Sequence, residues 1–128
     1  QGILSGIKLS ADEVHIRQTK EQLSEYFAGK RKTFDLPLVL YGTAFQKSVW
    51  EELTKISYGQ TISYAEQARR IGNKNKARAV GTANGVNPIP IVIPCHRVIG
   101  TNGMLTGFGG GIDKKQYLLE LEKKYFIH

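Results

Sequence analysis

Residues 63–85, SYAEQARRIGNKNKARAVGTANG, decide how this chain folds. Ser63 stands three residues before Glu66, the spacing of a capping box in which hydroxyl and carboxylate satisfy each other's backbone donors. Ala65, Ala68 and Ile71 then share one helical face, which predicts a short helix ended by Gly72-Asn73. Asn73 or Asn75 caps a further helix running to about Asn84. Two short helices joined by a tight Gly-Asn turn make a helix-turn-helix pattern. The second of them is built from small residues: Ala77, Ala79, Gly81, Thr82, Ala83 and Gly85. Gly81 alone costs about 1 kcal/mol of helix stability relative to Ala. Such a helix suits either close packing on another helix or close approach to a DNA groove, and Arg78 with the nearby lysines favours the second.

Charge points the same way. Formal net charge is +7 and the pI near 9.6, which suits a polyanionic partner because phosphate contacts release condensed counterions. A basic protein kept soluble by its charge gives the same total, so distribution is the better guide. Between Thr61 and Gly100, Glu66 stands alone against Arg69, Arg70, Lys74, Lys76, Arg78 and Arg97. With 41% hydrophobic and 23% charged residues, the 128-residue composition is that of an ordinary globular chain. No apolar run reaches membrane-span length and no basic-then-apolar leader opens the sequence.

Upstream, Thr43 and Gln46 form another capping box, followed by Phe45, Val49, Trp50, Leu53 and Ile56 on one amphipathic helix that Tyr58-Gly59 breaks. Earlier, Ile3–Leu9 reads as a short strand, and Ile16, Leu23 and Phe27 as one face of a helix capped by Gly29. Phe34, Leu36, Leu38 and Leu40 alternate as a strand, placed at a sheet edge by Pro37. This segment is small for a domain and the chain starts at Gln1, so upstream residues are expected in the natural protein. Downstream, Asn87-Pro88-Ile89-Pro90 is a rigid turn leading to a short buried run, Ile91-Val92-Ile93. Thr101-Asn102-Gly103 is a turn, Gly107 and Gly109–Gly111 flank Phe108 in a loop, and Asp113 caps a last helix with Leu118, Leu121 and Tyr125 inward.

The buried run ends at the single cysteine, Cys95, which excludes an internal disulfide and suits a reducing, cytoplasmic compartment (nuclear in a eukaryote). One Cys with His15, His96 and His128 lacks the ligand pairs of a structural zinc site. A lone cysteine is usually an inert small hydrophobe. Here, however, Pro94 fixes the backbone and His96-Arg97 follow, an imidazole and a guanidinium placed to favour the thiolate.

Ile93-Pro94-Cys95-His96-Arg97-Val98 resembles the active-site signature of the O6-alkylguanine-DNA alkyltransferases. The likeness runs through Gly42-Thr43-Ala44-Phe45-Gln46, Thr61-Ile62-Ser63-Tyr64, Ala77-Arg78-Ala79-Val80-Gly81, Asn87-Pro88 and Leu118-Leu119-Glu120-Leu121-Glu122, covering most of residues 42–124. It implies an α+β chain: residues 1–41 as the end of a ribonuclease H-like N-terminal domain, and 42–128 as a winged-helix-like helix-turn-helix alkyltransferase domain. It implies that Cys95 takes a methyl group irreversibly from O6-methylguanine in double-stranded DNA, with O4-methylthymine a second candidate substrate. His96 would act on Cys95 through a water and be oriented by Glu122. Tyr64 would donate to the guanine ring, Asn87 would brace the turn before the cysteine, and Arg78 would fill the stack left by the flipped base. Thr61, Lys76, Ala77 and Gly81 would lie at the DNA, and Val98, Phe108 and Gly109 around the base. The family commonly has tyrosine where this chain has Phe108 and serine where it has Gly109, which bears on substrate range and rate. A monomer with no metal, reductant or methyl-donor cofactor is expected.

Each residue has a plainer rival reading. Tyr64 could pack on Phe45 or Trp50, Arg78 could be a solvated charge, Asn87 a turn residue, and Glu122 half of a surface pair with Lys123 or Lys115; His15 and His128 read as surface residues. Two other functions compete: a damage sensor on the same scaffold, and a helix-turn-helix regulator of intact DNA. Ionisation is not the main source of rate. Lowering a thiol pKa by about three units raises the thiolate about 30-fold, while a Brønsted slope of about 0.4–0.5 removes nearly the same factor. In-line positioning and a donor at the departing guanine must supply the rest.

Overall fold

Several helix ends among the described residues are set by identifiable side chains or glycines. In the computed structural model, residues 11–100 and 111–126 are described, with side chains from residue 16 onward, Lys74 excepted. They form two compact units, Gln1–Val39 and Leu40–His128.

In the first unit, α1 (Ala11–Phe27) ends at Gly29, whose φ of 76° lets Lys30 N–H return to the Glu25 carbonyl at 2.8 Å and its own N–H to Tyr26 at 3.0 Å. Tyr26 is buried, its ring 5.4 Å edge-on to Phe27 and 5.6 Å from Phe34. The strand expected at Phe34–Leu40 does not form: the Asp35 N–H and C=O are both taken by the Gln22 side-chain amide, each at 2.9 Å, in place of a sheet neighbour. The strand expected at Ile3–Leu9 lies outside the described residues, as do the turn at Thr101–Gly103, the loop at Gly107–Gly110, His128 and the His15 side chain.

The second unit begins with α2 (Ala44–Leu53), and the Thr43–Gln46 box closes in both directions, 2.9 and 3.0 Å. Such a cap contributes about 1 kcal/mol. The helix stops at Leu53, earlier than the break expected at Tyr58-Gly59, yet Ile56 is still buried beside Val49, Trp50 and Leu53. After β1 (Ile62–Ser63), α3 (Tyr64–Arg70) starts with half a box: Ser63 accepts from the Glu66 N–H, but the Glu66 carboxylate turns to Arg69 and Arg70. Gly72, at φ 100°, ends α3 with the Asn73 N–H returning to Ala68. Asn73 then caps a single 3-10 turn (Lys74–Lys76) that runs into α4 (Ala77–Gly85).

Helices α2, α3 and α4 share one core of Val49, Trp50, Leu53, Ala68, Val80 and Ala83, joined by Ile93, Cys95 and Val98. Ala65, expected on the inner face of α3, is exposed, and Gln67 is buried there instead. Its amide exchanges two hydrogen bonds with the buried Asn84, 2.8 and 3.1 Å, and reaches the Val49 carbonyl at 3.3 Å. The Trp50 indole N–H donates to the Ala83 carbonyl at 3.0 Å. Every polar group in this lock between the helices has a partner, which removes the desolvation penalty that would otherwise oppose burial.

The short β1 pairs in parallel with β2 (Val98–Ile99), Ile62 opposite Val98 and Ser63 opposite Ile99. That pairing sets the start of α3 beside the residues that follow Cys95. The last helix, α5 (Ile112–Tyr125), is capped by Gly111 at φ 106°, not by Asp113, which sits in its first turn. Its most buried stripe is Lys115, Leu118 and Glu122; Leu121 and Tyr125 are only half-buried. Among the described residues no helix is long and apolar enough to cross a membrane.

Candidate active site

The short run Ile91-Val92-Ile93 before Cys95 continues the turn begun at Asn87. Pro90 and Ile93 form an isolated bridge around it, with Ile91 at φ 78°, a region costly for a β-branched side chain. Asn87 holds this turn from inside, donating to the Ile93 carbonyl at 2.7 Å and accepting from the Ile89 N–H at 3.0 Å. Cys95–Arg97 then form one buried 3-10 turn.

His96 and Arg97 both lead to Glu122 on α5. Arg97 makes a two-pronged contact with its carboxylate, 2.9 Å on each oxygen, and gives its remaining arm to the Ile56 carbonyl at 2.6 Å. His96 Nε2 lies 2.6 Å from Glu122 Oε2, and the Gly59 N–H reaches Oε1 at 3.1 Å. Glu122 is 1% exposed, so the surface pair with Lys115 or Lys123 is excluded. Burial pushes its pKa up, but the bonds from His96 and Arg97 outweigh that and hold it at about 2.

The same carboxylate does not protonate His96. Arg97 already neutralises it, and burial drives the imidazole pKa down against the pull of Glu122. A neutral imidazole facing a carboxylate must donate through Nε2, which leaves Nδ1 with its lone pair. Nδ1 is buried and has no hydrogen-bond partner among the described residues.

Burial also pushes the Cys95 thiol up, opposed by Asn87 and by the charge of Lys115. Neither His96 nor Arg97 is among the groups whose charge lowers the Cys95 pKa. Burial lowers the His96 pKa, the Arg97 guanidinium is bonded to Glu122 and Ile56, and the charge that opposes burial at the thiol comes from Lys115. Its side chain is fully buried, donating to the Val98 carbonyl at 2.6 Å and toward the Tyr64 hydroxyl at 3.4 Å, and lying 5.5 Å from the centre of the Tyr64 ring. Sequence reading missed Lys115, although it falls on one helical stripe with Leu118 and Glu122.

Tyr64 is half-buried against the core and faces Gly81, where an added Cβ would stand 3.7 Å from its ring. Val98 is fully buried. Arg78 is exposed on the outer face of α4 and makes no ion pair among the described residues. Ala77 packs on the core, and exposed Lys76 holds its ammonium 5.3 Å over the Phe45 ring. Thr61 is exposed at a surface cleft shared with Gly59, Leu119 and Lys123. Phe108 and Gly109 lie outside the described residues.

Residues 44–124 match the family described as 6-O-methylguanine DNA methyltransferase, DNA binding domain. The methylated-DNA–protein-cysteine methyltransferase of Methanosarcina acetivorans is 54% identical over 111 residues, 87% of this chain and 71% of that protein. That of Mycolicibacterium paratuberculosis is 58% identical over 105 residues, 82% of this chain and 64% of that protein. The crystal structure of Mycobacterium tuberculosis OGT in complex with DNA superposes with a TM-score of 0.83 at 56% identity, covering 85% of this chain and 68% of that one. The chain thus spans about two thirds of the length of these relatives. With a buried cysteine followed by a histidine bonded to a buried glutamate, in a chain of matching sequence and fold, the protein belongs to the methylated-DNA–protein-cysteine methyltransferase family.

Proposed function

We propose that the chain repairs alkylated DNA by moving a methyl group from O6-methylguanine onto Cys95, once per molecule. The observation that carries this reading is the tautomer of His96. Glu122 fixes Nε2 as the donor, so Nδ1 is left as the basic atom of a histidine next in sequence to Cys95, whose thiol burial keeps protonated. His96 takes the Cys95 proton through a water, and Glu122 stabilises the imidazolium as it forms. The sulfur–methyl bond forms as the methyl–O6 bond breaks, and the electron pair enters the guanine ring, to which Tyr64 donates its proton. Among the described residues no group is placed to hydrolyse the thioether product, so one turnover is expected.

The outer face of α4 is the groove-facing surface in this reading, with Arg78 filling the stack and Thr61, Lys76, Ala77 and Gly81 near the backbone or the groove. Asn87 keeps the cysteine turn in place, and Val98 with Phe108 and Gly109 surrounds the extruded base. Residues 1–41 correspond to the end of a ribonuclease H-like domain and 42–128 to a winged-helix-like domain that carries the chemistry, in a cytoplasmic monomer.

The test is to incubate the protein with a duplex carrying one O6-methylguanine and count lesions before and after. Stoichiometric conversion to guanine, abolished in Cys95→Ser with lesion binding retained, supports transfer. Tight lesion binding without conversion supports a damage sensor, and equal affinity for intact DNA supports a regulator.

A further inference from the structure

We infer that Lys115 is a positioning residue for the transfer: its buried ammonium makes the Tyr64 hydroxyl a donor toward the guanine and supplies the positive charge against which the Cys95 thiolate forms. This rests on the methyl-transfer reading above. An ammonium carries three N–H groups and no lone pair, so the phenol oxygen 3.4 Å from Nζ can only accept from it. The phenol's own hydrogen must then point to another acceptor, as a donor to the purine requires. The bond to the Val98 carbonyl, 2.6 Å, fixes Nζ at a carbonyl three residues beyond Cys95, and the Tyr64 ring lies alongside at 5.5 Å. One charge therefore bears on both reacting ends, the sulfur and the donor.

The balance of the step shows why a cation belongs there. When the proton of Tyr64 passes to the guanine anion, a phenolate is left, and the thiol's proton rests on His96. Net charge is unchanged, and the ammonium holds the phenolate until the repaired base leaves and solvent restores the phenol. Burial lowers the Lys115 pKa to about 8, so the charged form still predominates at pH 7. The titratable groups facing it are Cys95 and His96 from the 3-10 turn and Tyr64 from α3; Glu122, on its own helix, is taken up by His96 and Arg97.

The experiment measures single-turnover transfer from an O6-methylguanine duplex against pH in wild type, Lys115→Met and Lys115→Arg, each with and without Tyr64→Phe. Iodoacetamide labelling of Cys95 against pH runs in parallel. Lys115→Met is expected to slow transfer at least about tenfold, below the ~10²–10³ of a lost direct donor. It should also abolish the fall in rate above about pH 8 and raise the labelling midpoint. Lys115→Arg should restore part of the rate and move the alkaline limb upward. Tyr64→Phe should cost much less beside Lys115→Met than in wild type. Equal costs of Tyr64→Phe in both backgrounds, with an unmoved labelling midpoint, overturn the proposal. Should Lys115→Met fail to fold, an alkaline limb that stays at the wild-type pH in Lys115→Arg overturns it equally. Failure of wild type to acquire the methyl group would sink the repair reading instead, while the labelling midpoint, which needs no lesion, still reports the charge of Lys115 on sulfur.

Discussion

Two glutamates in this chain are each held by two basic side chains, and they are not equivalent. Glu66 lies on the outer surface of α3 with Arg69 and Arg70, and the hydrogen bond from Arg69, then that from Arg70, lowers its pKa to about 2. Glu122 reaches about 2 as well, from inside the core, with His96 and Arg97 overcoming burial. The similar values conceal different physics. Water can replace the partners of Glu66 and salt screens them. Nothing replaces the partners of Glu122, so its removal strands a guanidinium, the Gly59 amide and the imidazole orientation together.

The largest effect should follow from breaking the buried member. Glu122→Gln is expected to lose about 3–5 kcal/mol of stability, as for other broken buried pairs, and to bring methyl transfer close to zero. Urea melts and single-turnover assays read the two losses. Preserved stability would mean that Arg97 finds other acceptors.

Acid should separate the two sites next. The folded His96 has a depressed pKa, so the unfolded chain binds its proton first. That contribution to stability is present above about pH 6.5 and declines as pH falls below it. Glu122 also has a depressed folded pKa, so its contribution is present above about 4.5 and is lost as pH falls toward about 2. Melting temperature should thus decline in two stages on acidification, and the second stage should be missing in Glu122→Gln.

A smaller loss is expected from Gln67→Ala, which leaves the buried Asn84 amide unpaired at about 1–3 kcal/mol, with no change in the pH at which transfer falls off. The smallest effect belongs to Glu66→Gln. It should leave the melting temperature and transfer rate of the folded protein nearly unchanged, and should strengthen DNA binding at low salt by releasing Arg69 and Arg70. A loss of stability comparable to Glu122→Gln would contradict the difference between the exposed and the buried glutamate.

The same contrast explains what could be read in advance. Helix starts at Thr43 and Ser63, the stop at Gly72 and the apolar faces are local signals, and they located α2, α3 and α4. Phe34–Leu40 misled because alternation shows which face could be buried but not whether a partner strand is adjacent; the Gln22 amide satisfied Asp35 instead. Motif spacing singles out Cys95, His96 and Glu122, and the structure brings His96 to Glu122. Arg97's bond to Ile56 and the Gln67–Asn84 exchange join residues far apart in sequence, and no local pattern announces such pairs. Lys115 reads as a surface residue because a lysine in a helix is ordinarily solvated. Its place at i−3 from Leu118 and i−7 from Glu122 was the signal available.

The most direct test of the whole account is peptide mapping after prolonged exposure of the folded protein to duplex DNA carrying O6-methylguanine. The account predicts one added methyl group per molecule, on the peptide containing Cys95 and on no other, and retained after the DNA is removed. An unmodified Cys95 in protein that remains folded and bound to the lesion would contradict it.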